Sequence, residues 1–158
     1  MKETELTTAD FPVTIEQPVQ WGEQDGFGHI NNMYFIRWFE SARIAYLSKC
    51  GVELTTDGVG PILAAVKCNF RRQVKYPATV IVGSRITKIG RSSMSMEHAM
   101  WNKATGELVA DGDSTVVMFD YQNQKSSEVS SSTRERIESL EGRPVSYTHL
   151  TLPTIYSV

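Results

Sequence analysis

The chain is poor in the residues that build metal sites and disulfide frameworks. Cysteine occurs twice, as Cys50 and Cys68, with no ligand spacing and no framework density. Reduced, buried thiols are the expected state. Histidine occurs three times without a metal-ligand pattern, so no metal is expected. Neither sign of charge is in excess: 16 basic against 18 acidic side chains give a net charge of -2. That balance removes the electrostatic case for nucleic acid or an anionic membrane surface as partner. No apolar run approaches bilayer-spanning length. A Gly-x-Ser-x-Gly elbow is missing too, which argues against a serine-triad esterase. The start, MKETELTTAD, is polar and acidic, unlike a signal or transit peptide. A cytoplasmic location is expected by elimination.

What is present suffices for one domain. At 158 residues, with 41% hydrophobic and 22% charged residues, the chain can bury one real core but not two. Its most informative stretch is Trp21 to Phe39, WGEQDGFGHINNMYFIRWF. Asp25 sits there in a glycine-punctuated turn that leads directly into an apolar helix. A helix start offers unpaired N–H groups and partial positive charge, both suited to a developing oxyanion. A carboxylate beside it can attack a carbonyl or activate a water.

Along the chain, Val13 to Gln20 reads as a first strand with Pro18 marking an edge or end. Asn31 or Asn32 caps a helix that runs to about Lys49, with Gly51 as its stop. That helix is apolar most of the way round and is expected to be buried on most sides. Glu40 is expected to pair with Arg43 or Arg37. Glu53 to Pro61 reads as a loop. Ile62 to Arg72 alternates, with Ala64, Val66, Cys68 and Phe70 on one face. Thr79 to Ile89 is β-branched. Ser92 to Asn102 carries Met94, Met96, His98 and Met100 on one face, where His98 is expected as a core or interface histidine. Leu108 to Asp120 is a last strand, and Arg134 to Leu140 a short terminal helix after a serine-rich linker. The compact solution is α+β: an antiparallel sheet of about five strands wrapped around one long central helix.

The motif W-G-E-x-D-x-x-G-H-I-N-N followed by F-E-x-A-R, from Val19 to Arg43, resembles the 4-hydroxybenzoyl-CoA thioesterase-like branch of the hotdog-fold superfamily. The stretches Ile89–Ser93 (IGRSS) and Gly106–Gly112 (GELVADG) fall in the matching order, and the resemblance covers about residues 13 to 122. It implies a hotdog-fold acyl-CoA thioesterase, working as a homodimer or homotetramer with sites at the subunit interface. It maps the catalytic carboxylate to Asp25 and the oxyanion amide to about Asn32. Basic side chains near the turn after Gly90, Arg91 and Lys88 with Ser92 beside them, are implied for binding CoA. No cofactor is implied, because CoA belongs to the substrate, an acyl-CoA or acyl-carrier-protein thioester.

Each residue also has a structural role to compare. Asp25 in Gln-Asp-Gly suits a turn equally well, and Asn31 and Asn32 are first of all capping residues. His29 either orients substrate or water near the thioester or satisfies the loop backbone. Arg71 with Arg72 is a second basic pair able to clamp phosphate. Asp25 as nucleophile and Asp25 as general base both remain open. So do two other functions: a hotdog-fold enoyl-CoA hydratase or dehydratase, and a non-catalytic dimeric acyl-CoA-binding module.

Val145 to Ser157 reads VSYTHLTLPTIYS and resembles the conceptual translation of a transposon-type sequencing adapter. The expected domain is residues 1–144, with 145–158 a non-native, exposed tail. Tyr147 and His149 are assigned to no site.

Overall fold

The computed structural model describes residues 5–147. Residues 148–158 of the segment read as a tail, His149 among them, lie outside the described residues. Strand β1 (Val13–Pro18) ends at the proline, which cannot donate to a ladder. Helix α1 spans Asn32–Lys49. Four long strands follow: β2 (Val59–Phe70), β3 (Thr79–Ile89), β4 (Ser93–Asn102) and β5 (Leu108–Asp120). Two-residue strands β6 (Lys125–Ser126) and β7 (Ser146–Tyr147) flank α2 (Ser131–Glu141). The sheet order is β1-β3-β4-β5-β2, with β6 on β5 and β7 on β3. All the long strands pair antiparallel, and β7 runs parallel to β3.

Local chemistry sets the helix ends. The Asn31 side chain accepts from the Met33 N–H at 3.1 Å and fixes the start of α1. At the other end the chain reverses through Gly51 at φ 73°, a left-handed conformation that costs glycine little. The buried side of α1 serves two halves of one core. Phe35, Trp38, Phe39 and Ala42 pack on Val80, Val82, Met100 and Ala110. Tyr46, Leu47 and Cys50 pack on Ile86, Ile89, Met94, Met96 and Val116. Ile137 of α2 and Val145 close that second half. The Tyr46 hydroxyl donates to the Glu141 carboxylate, which also accepts the Ile86 N–H at 3.2 Å, so the end of α2 is tied to α1 and β3. Val145 is buried and β7 joins the sheet, so the first three residues of the segment expected as an exposed tail lie against the fold.

His98 is a core histidine. It is 0% exposed, its Nδ1 lies 2.7 Å from Ser84 Oγ and its Nε2 2.7 Å from Ser114 Oγ. Phe39 stacks on its ring at 5.1 Å. Burial first, and the Arg43 charge second, push the imidazole down to about 3, so it is neutral. Met94, Met96 and Met100 share its buried face, as the alternation predicts.

Four expectations need correcting. Helix α1 is less wrapped than its composition implies: Met33, Ile36 and Ile44 are exposed, because the sheet covers only one side of it. Glu40 is exposed and makes no ion pair within 4.0 Å among the described residues; its charge still favours the Arg43 guanidinium, which is 5% exposed and whose Nη1 has no hydrogen-bond partner there. Strand β2 begins at Val59, inside the stretch read as a loop, because Val59 and Gly60 already pair with Asp120 and Phe119. Helix α2 starts three residues earlier than expected, where Ser130 caps it by accepting from the Thr133 N–H at 3.2 Å.

Candidate active site

The turn between Gln24 and Ile30 is closed by a bridge between those two residues. Inside it the Asp25 N–H donates to the His29 carbonyl at 2.7 Å, and the Gly28 N–H to the Asp25 carbonyl at 3.2 Å. Gly28 has φ 77°, which lets so short a loop reverse. The Asp25 side chain is held by backbone alone: Oδ1 accepts from the Phe27 N–H at 2.8 Å and the His29 N–H at 3.2 Å. Oδ2 takes no hydrogen bond among the described residues. Turn aspartate and cavity carboxylate are therefore the same residue. The turn spends one oxygen on geometry and leaves the other uncommitted.

The first turn of α1 supplies the complementary group. The Met33 N–H is taken by the Asn31 side chain, the Tyr34 N–H by the Asn31 carbonyl, and the Asn31 N–H by the Glu23 carbonyl. The Asn32 N–H has no acceptor among the described residues. It is an unpaired donor at the positive end of the helix.

Asp25, His29 and Asn32 line one cavity of about 350 Å³, with Ile30, Phe35 and Phe70 as its apolar wall. Arg71, Arg72, Gln73 and Val74 complete its lining. The Ile30 N–H donates to the Val74 carbonyl at 3.3 Å, which joins the turn to the segment after β2. The edge-to-face contact of Phe35 and Phe70, at 5.4 Å, joins α1 to the end of β2. A cavity of this size with a few convergent polar groups is at the small end of small-molecule sites.

The basic residues implied for CoA lie elsewhere on the same chain. Lys88 lines a separate depression on the sheet with Ser95, Glu97 and Asp113. Arg91 is exposed and pairs with Glu128 at 3.0 Å. Ser92 uses its carbonyl to accept the Met118 N–H at 2.7 Å. None of the three lines the cavity that holds Asp25. Arg71 and Arg72, the second basic pair of the sequence, do. The sequence gives no local sign of this, since the contact joins segments about forty residues apart through backbone pairing. Its one indirect signal is the alternation that places Phe70 on the apolar face of β2.

Other reactive groups are silent. Burial pushes both thiols up to about 11, aided by Glu141 at Cys50 and by Asp111 at Cys68, so neither is a ready nucleophile. No group of three or more His, Cys, Asp or Glu side chains able to hold a metal occurs among the described residues.

An antiparallel sheet curled around one long helix is the hotdog fold, shared with solved thioesterases. The particular family follows from the sequence: the family described as the Thioesterase-like superfamily matches residues 19–137, and the chain belongs to it. That membership makes the protein a thioester hydrolase by class. A thioesterase of Thermus thermophilus, solved in complex with coenzyme A and Zn, is 31% identical with a TM-score of 0.77, the match covering 86% of this chain and 98% of that one. The PA2801 protein of Pseudomonas aeruginosa is 28% identical with a TM-score of 0.75, over 80% of this chain and 98% of its own. The uncharacterised protein YsmA of Bacillus subtilis (strain 168) is 27% identical over 118 residues, 75% of this chain and 78% of YsmA.

Proposed function

We propose that the protein hydrolyses an acyl-CoA or acyl-carrier-protein thioester at the Asp25 cavity. The observation that carries this reading is the sharing of one cavity by a carboxylate with an uncommitted oxygen and an unpaired helix-start amide. The thioester carbonyl oxygen accepts a hydrogen bond from the Asn32 N–H, which stabilises the negative charge of the tetrahedral intermediate. Asp25 Oδ2 either attacks the carbonyl carbon, expelling the thiolate to leave an anhydride that water cleaves, or takes the proton of an attacking water. Both routes release free acid and thiol. His29, on the same wall, orients the water or the acyl group.

A second copy of the chain belongs to this reading. Strand β2 ends the sheet path, and its outer edge has no strand partner among the described residues. Val66 and Phe70 of β2 are exposed apolar side chains, as are Met33, Ile36 and Ile44 of α1. A homodimer or homotetramer covers such a surface. Lys88, Arg91 and Ser92 hold CoA only if that second copy brings them to the cavity. A cytoplasmic location accords with two unpaired thiols, and no described helix is long and apolar enough to cross a membrane.

The deciding experiment is thiol release from a panel of acyl-CoAs by wild type and Asp25→Asn. The variant is expected to keep its fold and lose roughly 10²–10⁴-fold in turnover. Near-wild-type turnover would remove Asp25 from the mechanism.

A further inference from the structure

The two arginines of the cavity are not equivalent. Arg71 is committed: its Nε and Nη2 grip the Asp111 carboxylate at 3.0 and 3.1 Å, and Asn69 reinforces that carboxylate at 2.9 Å. Arg72 has a much weaker hold. Its Nη1 stands 4.0 Å from Glu107 Oε1, and both side chains are more than half exposed. An exposed pair at that separation contributes little and exchanges readily for a better anion.

The backbone beneath Arg72 is nonetheless fixed. Its N–H and that of Arg71 both donate to the Val109 carbonyl, at 3.1 and 2.9 Å. Two residues on, the Val74 carbonyl takes the Ile30 N–H of the catalytic turn. Arg72 thus presents an exchangeable guanidinium from a rigid segment that lines the same cavity as Asp25 and Asn32. The carboxylate of Asp25 makes the inner part of the cavity unsuitable for a second negative charge. The rim at Arg72 is suited to one, because a guanidinium fork matches phosphate and carboxylate oxygens.

We propose that Arg72 is a specificity-determining residue that binds an anionic group of the thioester substrate, outside the reacting carbonyl. This rests on the thioesterase reading. The anion is either a phosphate of the CoA carrier or a carboxylate on the acyl group. Glu107 is its competitor, occupying Arg72 when no substrate is bound.

The test is steady-state thiol release by wild type, Arg72→Ala, Arg72→Lys and Glu107→Gln. The substrates are acetyl-, hexanoyl-, benzoyl- and succinyl-CoA and the corresponding pantetheine thioesters, which lack the nucleotide phosphates. Arg72→Ala is expected to raise KM roughly two- to fivefold with kcat unchanged, the range an exposed charge pair supports. Arg72→Lys restores part of the loss, and Glu107→Gln moves KM the other way. If the effect follows the CoA carrier whatever the acyl group, the anion is a phosphate. If it follows the succinyl group on either carrier, the anion is the acyl carboxylate. An unchanged KM throughout, or an equal rise on uncharged acetyl-pantetheine, overturns the proposal. Calorimetric titration with CoA, and with succinyl-pantetheine in an Asp25→Asn background, reads the same contact without turnover. A wild-type protein that releases no thiol therefore defeats the thioesterase reading alone, while equal affinities for wild type and Arg72→Ala in both titrations defeat the role of Arg72.

Discussion

His98→Gln isolates the energetic weight of one buried imidazole. In the folded chain that ring is neutral, because burial holds it down to about 3 against an ordinary value of 6.5. Between those values the unfolded chain binds a proton that the folded chain refuses. Stability on this account is complete above about pH 6.5 and falls as the pH drops toward about 3. Each pH unit in that window costs about 1.4 kcal/mol, so roughly 3 kcal/mol is lost at about pH 4.5 and at most about 5 at the lower limit. Glutamine can keep contact with Ser84 and Ser114 but does not titrate. The variant should therefore be less stable near pH 7 by about 1–3 kcal/mol, having lost the stack on Phe39. It should then lose roughly 3 kcal/mol less than wild type on going to about pH 4.5. Carboxylates weaken both proteins in acid, so the readout is the difference between the two losses, measured by urea denaturation followed by circular dichroism at each pH. Equal losses in both proteins would show that His98 is protonated in the folded state, and the reasoning would fail.

Two further outcomes test the frame around the site. Gly112→Ala should destabilise the fold by about 2 kcal/mol or more, because a Cβ there would lie 1.9 Å from the Lys67 carbonyl oxygen, with backbone on both sides of the clash. A denaturation midpoint equal to that of wild type would show that β2 and β5 can separate at this point. Light scattering should find a dimer or tetramer at micromolar concentration, and a stable monomer would refute a cavity completed by a second copy.

Much of the fold is legible because local signals agree. Asn31, Gly51 and the apolar run between them mark α1 to within a residue. The β-branched run of β3 delimits its strand equally well. The Asp25 turn is legible for the same reason: glycine spacing, an acid and a helix cap are all local. What escapes reading depends on which distant segments meet. Nothing near Val59 announces a strand until Asp120 lies opposite it. Nothing in Arg71–Arg72 shows that Val109 will place them beside Asp25 rather than leave them on an open edge. The composition of α1 also cannot tell apolar surface kept for its own sheet from surface left bare. Gly112 illustrates the middle case: it closes the weak stretch GELVADG, and only the approach of the Lys67 backbone gives its missing side chain a reason.

The anchorage of Asp25 through main-chain amides has a consequence for how the enzyme can change. Neither Phe27, whose ring is 88% exposed, nor His29 offers its side chain to hold the carboxylate; each lends only a peptide nitrogen. Substitutions at these two positions can reshape what the loop touches without unseating the acid. On the proposed mechanism, drift or directed evolution can thus explore new acyl groups around a carboxylate that stays in place.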